Sequence, residues 1–431
     1  MSLKKQVILG LKWTSFATIC LAIVAILKIS ILARFLEKSD FGLMALVTFV
    51  MGFMNLFSDM GLSTAILHKQ KITKKNYASL YWFNIILCIV LYGVLFLVTP
   101  LVSSLYNEPE LNYLIPLLGL NLIISGIGIQ FKTIETKNLA FKSISLIDIL
   151  AALISLFVAV WLAVNDYGVL SLVYSALIQY LISNLLFLII GIKKHGLLLH
   201  FRLSETLPFL KIGIYQVGGQ VANYFNRDLD ILLIGKFFST EILGGYSLAK
   251  QLVFRPAQII NPILVKVASP TLAKFQNQND LLKKNYLKLI NIVSSLNISV
   301  YLVIVLFAPL IVQIVYGTDF YNIVNLVRIL SFYMIFRAIG NPIGSLVIAT
   351  GRTDLEFKWN VMSLLIMPIF IYIGSMFGVV QVSLSLTFAM ILLFVPSWKF
   401  LVNKMTGATL KEYIIAIINI KFDFIYKTKN H

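Results

Sequence analysis

The chain has 431 residues, of which 59% are hydrophobic and 13% charged, with a mean hydropathy of +0.89 and a formal net charge of +18. So large an apolar share excludes an ordinary soluble domain, and several stretches exceed the length that crosses a hydrocarbon core, so the class is a polytopic all-α membrane protein. Strands of alternating polarity are absent, against an outer-membrane barrel, and the lysines gather in short loops on one side, against a nucleic-acid partner.

Twelve membrane-spanning helices are predicted, at about 10–36, 41–66, 78–105, 111–131, 143–164, 168–192, 207–238, 241–268, 286–314, 322–349, 355–377 and 379–403. The start, MSLKKQVILGLKW, runs into the first span without a small-residue cleavage site and reads as retained. The loops alternate in charge. HKQKITKK brings Lys69, Lys71, Lys74 and Lys75, whereas YNEPE at 106–110 brings no base. The same rhythm returns in the second half, with Lys274, Lys283, Lys284 and Lys288 on one side and Gly317-Thr318-Asp319 on the other. One side collects 26 bases and the other three, Arg34, Lys38 and Lys236. The positive-inside rule then puts both termini in the cytoplasm.

The chain is also a repeat. Shifted by 202 positions, Lys28 to Leu46 falls on Asp230 to Leu248, so that Arg34 meets Lys236, Phe35 meets Phe237, Gly42 meets Gly244 and Leu46 meets Leu248. LAFK at 139–142 likewise matches LEFK at 355–358. Each copy holds six spans, an even number, so the two copies have the same orientation, related by an axis along the membrane normal. The predicted domains are an N-lobe at 1–192, a cytoplasmic linker at 193–206, a C-lobe at 207–403 and a basic amphipathic tail at 404–431 on the cytoplasmic leaflet, with a partly inserted thirteenth span as the other reading of the tail.

Charges at membrane depth are costly and mark candidate sites. Arg255, mid-span beside the kinking Pro256, has a fork of donors that suits a diphosphate; a structural pair with Asp228 or Asp59 is the other reading. Lys28 in the first span and Arg227 in the seventh complete the basic set. Asp230 is the repeat equivalent of Lys28, so the two either pair across the lobes as a gate or find partners within their own lobes, Arg227 being the nearby choice for Asp230. Asp230, Asp228 and Asp59 are the candidates for gating or ion coupling, although Asp59 and Asp148 also read as helix-end caps. Arg34 and Lys236 read as snorkelling, and Lys250 and Lys266 as peripheral. Gly213, Gly218, Gly219, Gly244 and Gly245 read as close-packing positions, with a hinge second.

No catalytic set emerges. Cys20 and Cys88 lie inside apolar spans, and His68, His195, His200 and His431 are scattered, so no disulfide framework, metal site or cofactor is expected. No phosphate-binding loop or nucleophile elbow appears, and the predicted activity is not enzymatic.

ILARFLEKSDFGLMAL, FSDMGLSTAILHKQKIT, NRDLDILLIGKFFSTEILGGYSLAKQL and the ATGR of Ala349–Arg352 resemble the polysaccharide transporters of the MOP flippase superfamily, nearest to the Wzx-type O-antigen and colanic-acid exporters. The resemblance runs from about Trp13 to Arg352. It implies a V-shaped, MATE-like pair of six-helix lobes in the inner membrane. It implies that undecaprenyl-diphosphate-linked oligosaccharide is flipped by alternating access, with H+ or Na+ as coupling ion and with the membrane lipids, a polysaccharide polymerase and glycosyltransferases as partners. Relatives that flip lipid-linked peptidoglycan precursors use arginines on the first, second and eighth spans. Arg255 fits the eighth and Lys28 stands in on the first, whereas the second offers Phe53 where a base would be. The branch usually has fourteen spans; twelve are legible here. The rival readings are a cation-coupled multidrug exporter, which calls for an acid-lined site, and a non-transport membrane component of envelope polysaccharide synthesis.

Overall fold

The computed structural model describes residues 3–69 and 71–419, and among these the regular structure is all helical. In chain order the helices are α1 (Leu3–Leu32), α2 (Lys38–Ser58), α3 (Leu62–His68), α4 (Lys74–Tyr106), α5 (Leu111–Lys137), α6 (Phe141–Val164), α7 (Val169–His195) and α8 (Leu203–Phe237). They continue as α9 (Thr240–Ala273), α10 (Asn279–Tyr316), α11 (Val324–Gly340), α12 (Pro342–Thr350), α13 (Thr353–Ser375), α14 (Val379–Ser397), α15 (Lys404–Thr406) and α16 (Leu410–Ile418). Ten of the resulting continuous or broken helices are long and apolar enough to cross a membrane. α8 and α9, with 35 and 34 residues, are each about 50 Å long at 1.5 Å per residue and so have the reach as well, with more charge on them. The twelve spans read from the sequence are all present as helices.

Local chemistry sets the breaks. The second span is interrupted after α2, where Met60 (φ 42°) and Gly61 (φ 71°) are left-handed. Asp59 bridges the interruption: its carboxylate accepts from the Ser63 backbone N–H at 3.0 Å and from the Ser63 hydroxyl at 2.9 Å. α4 begins on a capping box in which Thr73 accepts from the Asn76 N–H and Asn76 from the Thr73 N–H. α10 kinks at Phe307 (φ −100°, ψ 16°), two residues before Pro309, which supplies no N–H and crowds the preceding turn. A wide π-type turn at Trp398–Asn403 follows Pro396.

The chain divides into two compact units, Met1–Gly244 and Gly245–His431. In the first, α1 packs on α6, α6 on α7, α7 on α5 and α5 on α4, while α8 lies against α2, α3 and α4. One contact joins repeat equivalents. A Cβ on Gly42 of α2 would land on the Thr240 carbonyl, and a Cβ on Gly244 would land on the Lys38 carbonyl. Since 38 and 42 are the 202-shifted equivalents of 240 and 244, these first turns cross with local two-fold symmetry that only glycine allows. Gly244 thus packs closely as read from the sequence. Gly218 and Gly219 do not: a Cβ there would meet open space among the described residues.

The segment joining α7 to α8 is strapped to α4. Trp82 Nε1 donates to the Leu198 carbonyl (3.0 Å), the Arg202 N–H donates to Ser79 Oγ (3.0 Å) and Ser79 donates to Glu205 (2.6 Å), on which His200 also bears. Those contacts, Ser79 first, hold the Glu205 carboxyl below its ordinary range.

In the second unit α10 packs on α11, α11 on α14 and α13 on α14. The described part of the tail docks there too. α16 lies on α10, burying Tyr413 and Ile417, with Tyr413 stacked on Phe394 at 5.6 Å between centroids. Lys283 pairs with Glu412 at 2.6 Å, and Asn291 donates to the Ala416 carbonyl at 2.9 Å. The capping box of Thr409 and Glu412 starts the helix. The basic residues beyond 419 lie outside the described residues.

Candidate functional site

In the first unit several charged side chains meet partners within the same unit. Lys132 on α5 places its ammonium on both oxygens of Asp148 on α6 (2.9 and 2.8 Å), and Ser183 on α7 donates to the same carboxylate at 3.1 Å. Lys132 also lies 5.2 Å from the Phe187 ring centroid. Near one end of α7, Lys194 and His195 meet Glu135 at 2.7 and 3.3 Å. Asp148 is therefore an ion-pair member rather than a helix-end cap. Asp59, by contrast, takes the capping role across the α2–α3 break.

The sequence-predicted residues of this unit find local partners. Lys28 donates to Ser155 on α6 at 2.9 Å, and Ser155 passes the chain on to the Ser175 carbonyl on α7 at 2.7 Å. That is the within-lobe reading of Lys28, not a pair with Asp230. Arg227 pairs with its neighbour Asp228 at 2.7 Å and sits 5.6 Å from the Tyr224 ring. Tyr224 in turn donates to the Phe49 carbonyl of α2. Asp230 is 6% exposed and accepts from the Ile231 N–H at 3.0 Å. Arg34 donates to the Ser30 carbonyl and Lys236 to the Leu105 carbonyl, both exposed, as snorkelling groups at helix ends do.

The second unit is built differently. Its acids are Asp280, Asp319, Asp354, Glu356, Glu412 and Asp423, all at helix ends, loops or the tail, so the interiors of its spans contribute bases and no carboxylate. On α9, Lys250 and Phe254 are one helical turn apart; on α11, Tyr333 and Arg337 are as well. The structure brings these four together. The Lys250 ammonium lies 5.3 Å and the Arg337 guanidinium 5.7 Å from the Phe254 centroid, both within cation–π range. Tyr333 stacks on Phe254 at 6.4 Å and 25°, and its hydroxyl accepts from Arg337 Nη1 at 2.6 Å. Arg255 follows directly, within electrostatic reach of Tyr316, whose hydroxyl donates to the Leu248 carbonyl at 2.9 Å. Lys250 is 6% exposed, which corrects its reading as peripheral.

These residues suit an oxyanion: guanidinium and ammonium groups set among aromatic rings at the depth of apolar spans. Residues 31–325 match the family model described as "Polysaccharide biosynthesis protein". The chain belongs to that family. This family member is 29% identical to the lipopolysaccharide biosynthesis protein WzxC of Escherichia coli (strain K12), with 97% of this chain and 85% of that one covered. It is 29% identical to the teichuronic acid biosynthesis protein TuaB of Bacillus subtilis (strain 168), covering 96% and 84%. Its fold is shared with the lipid II flippase MurJ in an inward closed conformation, at TM-score 0.78 and 16% identity over 98% of this chain and 93% of that one. It is shared too with an inward-facing multidrug resistance MATE family transporter of the MOP superfamily, at TM-score 0.68 and 14% identity over 97% and 100%.

Sequence reasoning named Arg255 as a candidate, read Lys250 as peripheral, gave Arg337 no role and did not single out Phe254 or Tyr333. A signal was present: a cation four residues from an aromatic on two separate spans, in a stretch after Glu241 whose span interiors hold no acid. Which two helices would meet was not in the spacing.

Proposed function

We propose that this multi-pass membrane protein is a flippase for undecaprenyl-diphosphate-linked oligosaccharide, the repeat unit of an O-antigen, capsule or exopolysaccharide, working by alternating access in the inner membrane with both termini cytoplasmic. Membership of the polysaccharide biosynthesis family gives the class, and the names of the relatives give the kind of cargo. The observation that carries the reading is the acid-free set of bases in the spans of the second unit, because a headgroup carrying two phosphates needs cations where water is scarce. Arg255 holds the diphosphate, with Lys28 and Arg227 as further bases along the path. Asp230, Asp228 and Asp59 serve gating or coupling to H+ or Na+. The protein moves its cargo without chemical change, handing it from glycosyltransferases to a polymerase. The functional halves are 1–192 and 207–403.

A cation-coupled multidrug exporter shares the fold, but a cationic drug would meet bases in the second unit, so the anionic cargo is favoured. The decisive experiment is translocation of a fluorescent lipid-diphosphate-linked oligosaccharide in vesicles holding the purified protein. Arg255→Ala is expected to abolish translocation while leaving insertion and thermal stability intact; unchanged translocation would remove Arg255 from the site.

A further inference from the structure

The segment joining α7 to α8 carries uncovered apolar side chains where the chain has left its spans. Residues 196–202 form no regular element, and the backbone at Arg202 is extended (φ −138°, ψ 119°). In an extended chain successive side chains point to opposite sides. One side faces the protein: His200 bears on Glu205 at 3.1 Å. The alternate side chains stay outside, with Leu199 92% exposed, Phe201 45% and Leu203 53%. Two hydrogen bonds fix the level of the segment, from Trp82 Nε1 to the Leu198 carbonyl and from the Arg202 N–H to Ser79. On α4, which starts at Lys74, Ser79 and Trp82 lie roughly 8 and 12 Å from the first residue at 1.5 Å per residue. The segment is thus drawn back behind the end of a helix long and apolar enough to cross a membrane. Its irregular backbone still needs water, which keeps it at the boundary of the hydrocarbon and out of the core. Bases surround it: Lys74 and Lys75 open α4, Lys193 stands in the last turn of α7, and all three are exposed. Glu205, the nearby acid, is turned to Ser79 and His200.

We infer that residues 196–203 are an interfacial anchor that seats Leu199 and Phe201 among the upper acyl chains of anionic phospholipid, with Lys74, Lys75 and Lys193 on the phosphates. Apolar side chains at that depth meet lipid before any soluble partner, and bases nearer the helix ends lie level with the headgroups. Trp82 sits as an interfacial tryptophan does, its ring beside apolar side chains and its N–H on a carbonyl. A neutral phospholipid would accept the leucine and the phenylalanine but leave the lysines without counter-charge. Each base near an anionic surface favours the charged lipid about five-fold. The anchor does not depend on the flippase reading and holds whatever the cargo.

The test places a bimane fluorophore at Leu199→Cys in the full-length protein, with Cys20→Ala and Cys88→Ala, in nanodiscs of mixed phosphatidylglycerol and phosphatidylcholine. The mixture is the same throughout, and either one lipid or the other carries bromine on its acyl chains as a quencher. Brominated phosphatidylglycerol is expected to quench at least about two-fold more than brominated phosphatidylcholine. Aqueous iodide should reach this label less than one at Gln276→Cys, in an exposed loop. Lys74→Gln, Lys75→Gln and Lys193→Gln together should bring the two lipid values level while acyl quenching persists, because the apolar side chains remain. Phe201→Cys should repeat the pattern. Native mass spectrometry of protein that keeps both cysteines is the second measurement, and the triple variant should retain less phosphatidylglycerol than the parent. A label open to iodide and quenched by neither lipid means the segment stands in water and overturns the inference. So does a label shielded from iodide yet untouched by either lipid, since protein would then cover it. Equal quenching by the two lipids in the parent, or a preference that survives the triple change, overturns the anionic anchor as well.

Discussion

The two units carry intramembrane charge in opposite ways. In the first, Lys132 has Asp148, Glu135 has Lys194 and His195, Arg227 has Asp228, and Lys28 has Ser155. In the second, the span interiors supply Lys250, Arg255, Lys266, Arg328 and Arg337 with no acid in the same unit's spans, and two of these bases lie over one aromatic ring. A pair satisfied within one bundle repays part of its desolvation locally and works as structure. Bases gathered without an acid from the same bundle favour an incoming anion. The difference teaches that counting membrane charges is a poor guide to function until the partner of each is known.

The contrast can be broken at its strongest point first. Arg255→Ala in the second unit should cost at least 100-fold in translocation with little change in melting temperature, whereas exchanging Lys132 and Asp148 in the first should leave translocation within a few-fold; equal losses in the two would erase the distinction. Next in size is backbone crowding. Gly42→Ala places a methyl group against the Thr240 carbonyl, and overpacking of this kind costs about 3 kcal/mol, readable as a lower melting temperature in detergent. Gly218→Ala, facing open space, is the control and should change little.

A smaller effect is expected of Lys132→Ala. It strands the Asp148 carboxylate with Ser183 as its remaining donor, and because the pair is partly exposed the loss should be about 1–3 kcal/mol, below that of a fully buried pair. Its translocation, corrected for the amount folded, should be unchanged, which sharpens the assignment of that pair to structure. The smallest effect belongs to the tail. The Lys283 ion pair, with help from the Thr409 cap, holds the Glu412 carboxyl down from 4.5 to about 2. A depressed carboxyl stabilises docking fully above the ordinary glutamate range and loses that contribution as pH falls from about 4.5 toward 2. A spin label at Ile415 should therefore report looser docking of α16 across that window. Lys283→Ala should loosen it at neutral pH and narrow the window; a label indifferent to both changes would show that the Tyr413 and Ile417 contacts alone hold the helix.

Much of this was legible in residue order. Runs of apolar residues longer than a bilayer core dictate helices, because backbone groups in hydrocarbon must bond within their own segment, and all twelve predicted segments are helical, ten of them long and apolar enough to span. The repeat pointed to Gly42 and Gly244 as equivalent positions. Their direct crossing with the Thr240 and Lys38 carbonyls was not legible, since it depends on the angle at which α2 and α9 meet. Asp148 read as a cap because its partner Lys132 is sixteen residues away on another helix. Lys250 read as peripheral because hydropathy averages over a helix and does not say which face is covered.

Sequence alone therefore determined the class, the helical segments and the alternating loop charge, all consequences of transferring side chains and peptide groups out of water. Tertiary structure alone decided which charge meets which: Lys28 with Ser155, Arg227 with Asp228, Lys250 and Arg337 with one phenylalanine ring. The physical reason is range. Burial is set by local composition, but a hydrogen bond or a cation–π contact acts over a few ångströms, and only the packing of helices distant in sequence brings its members that close.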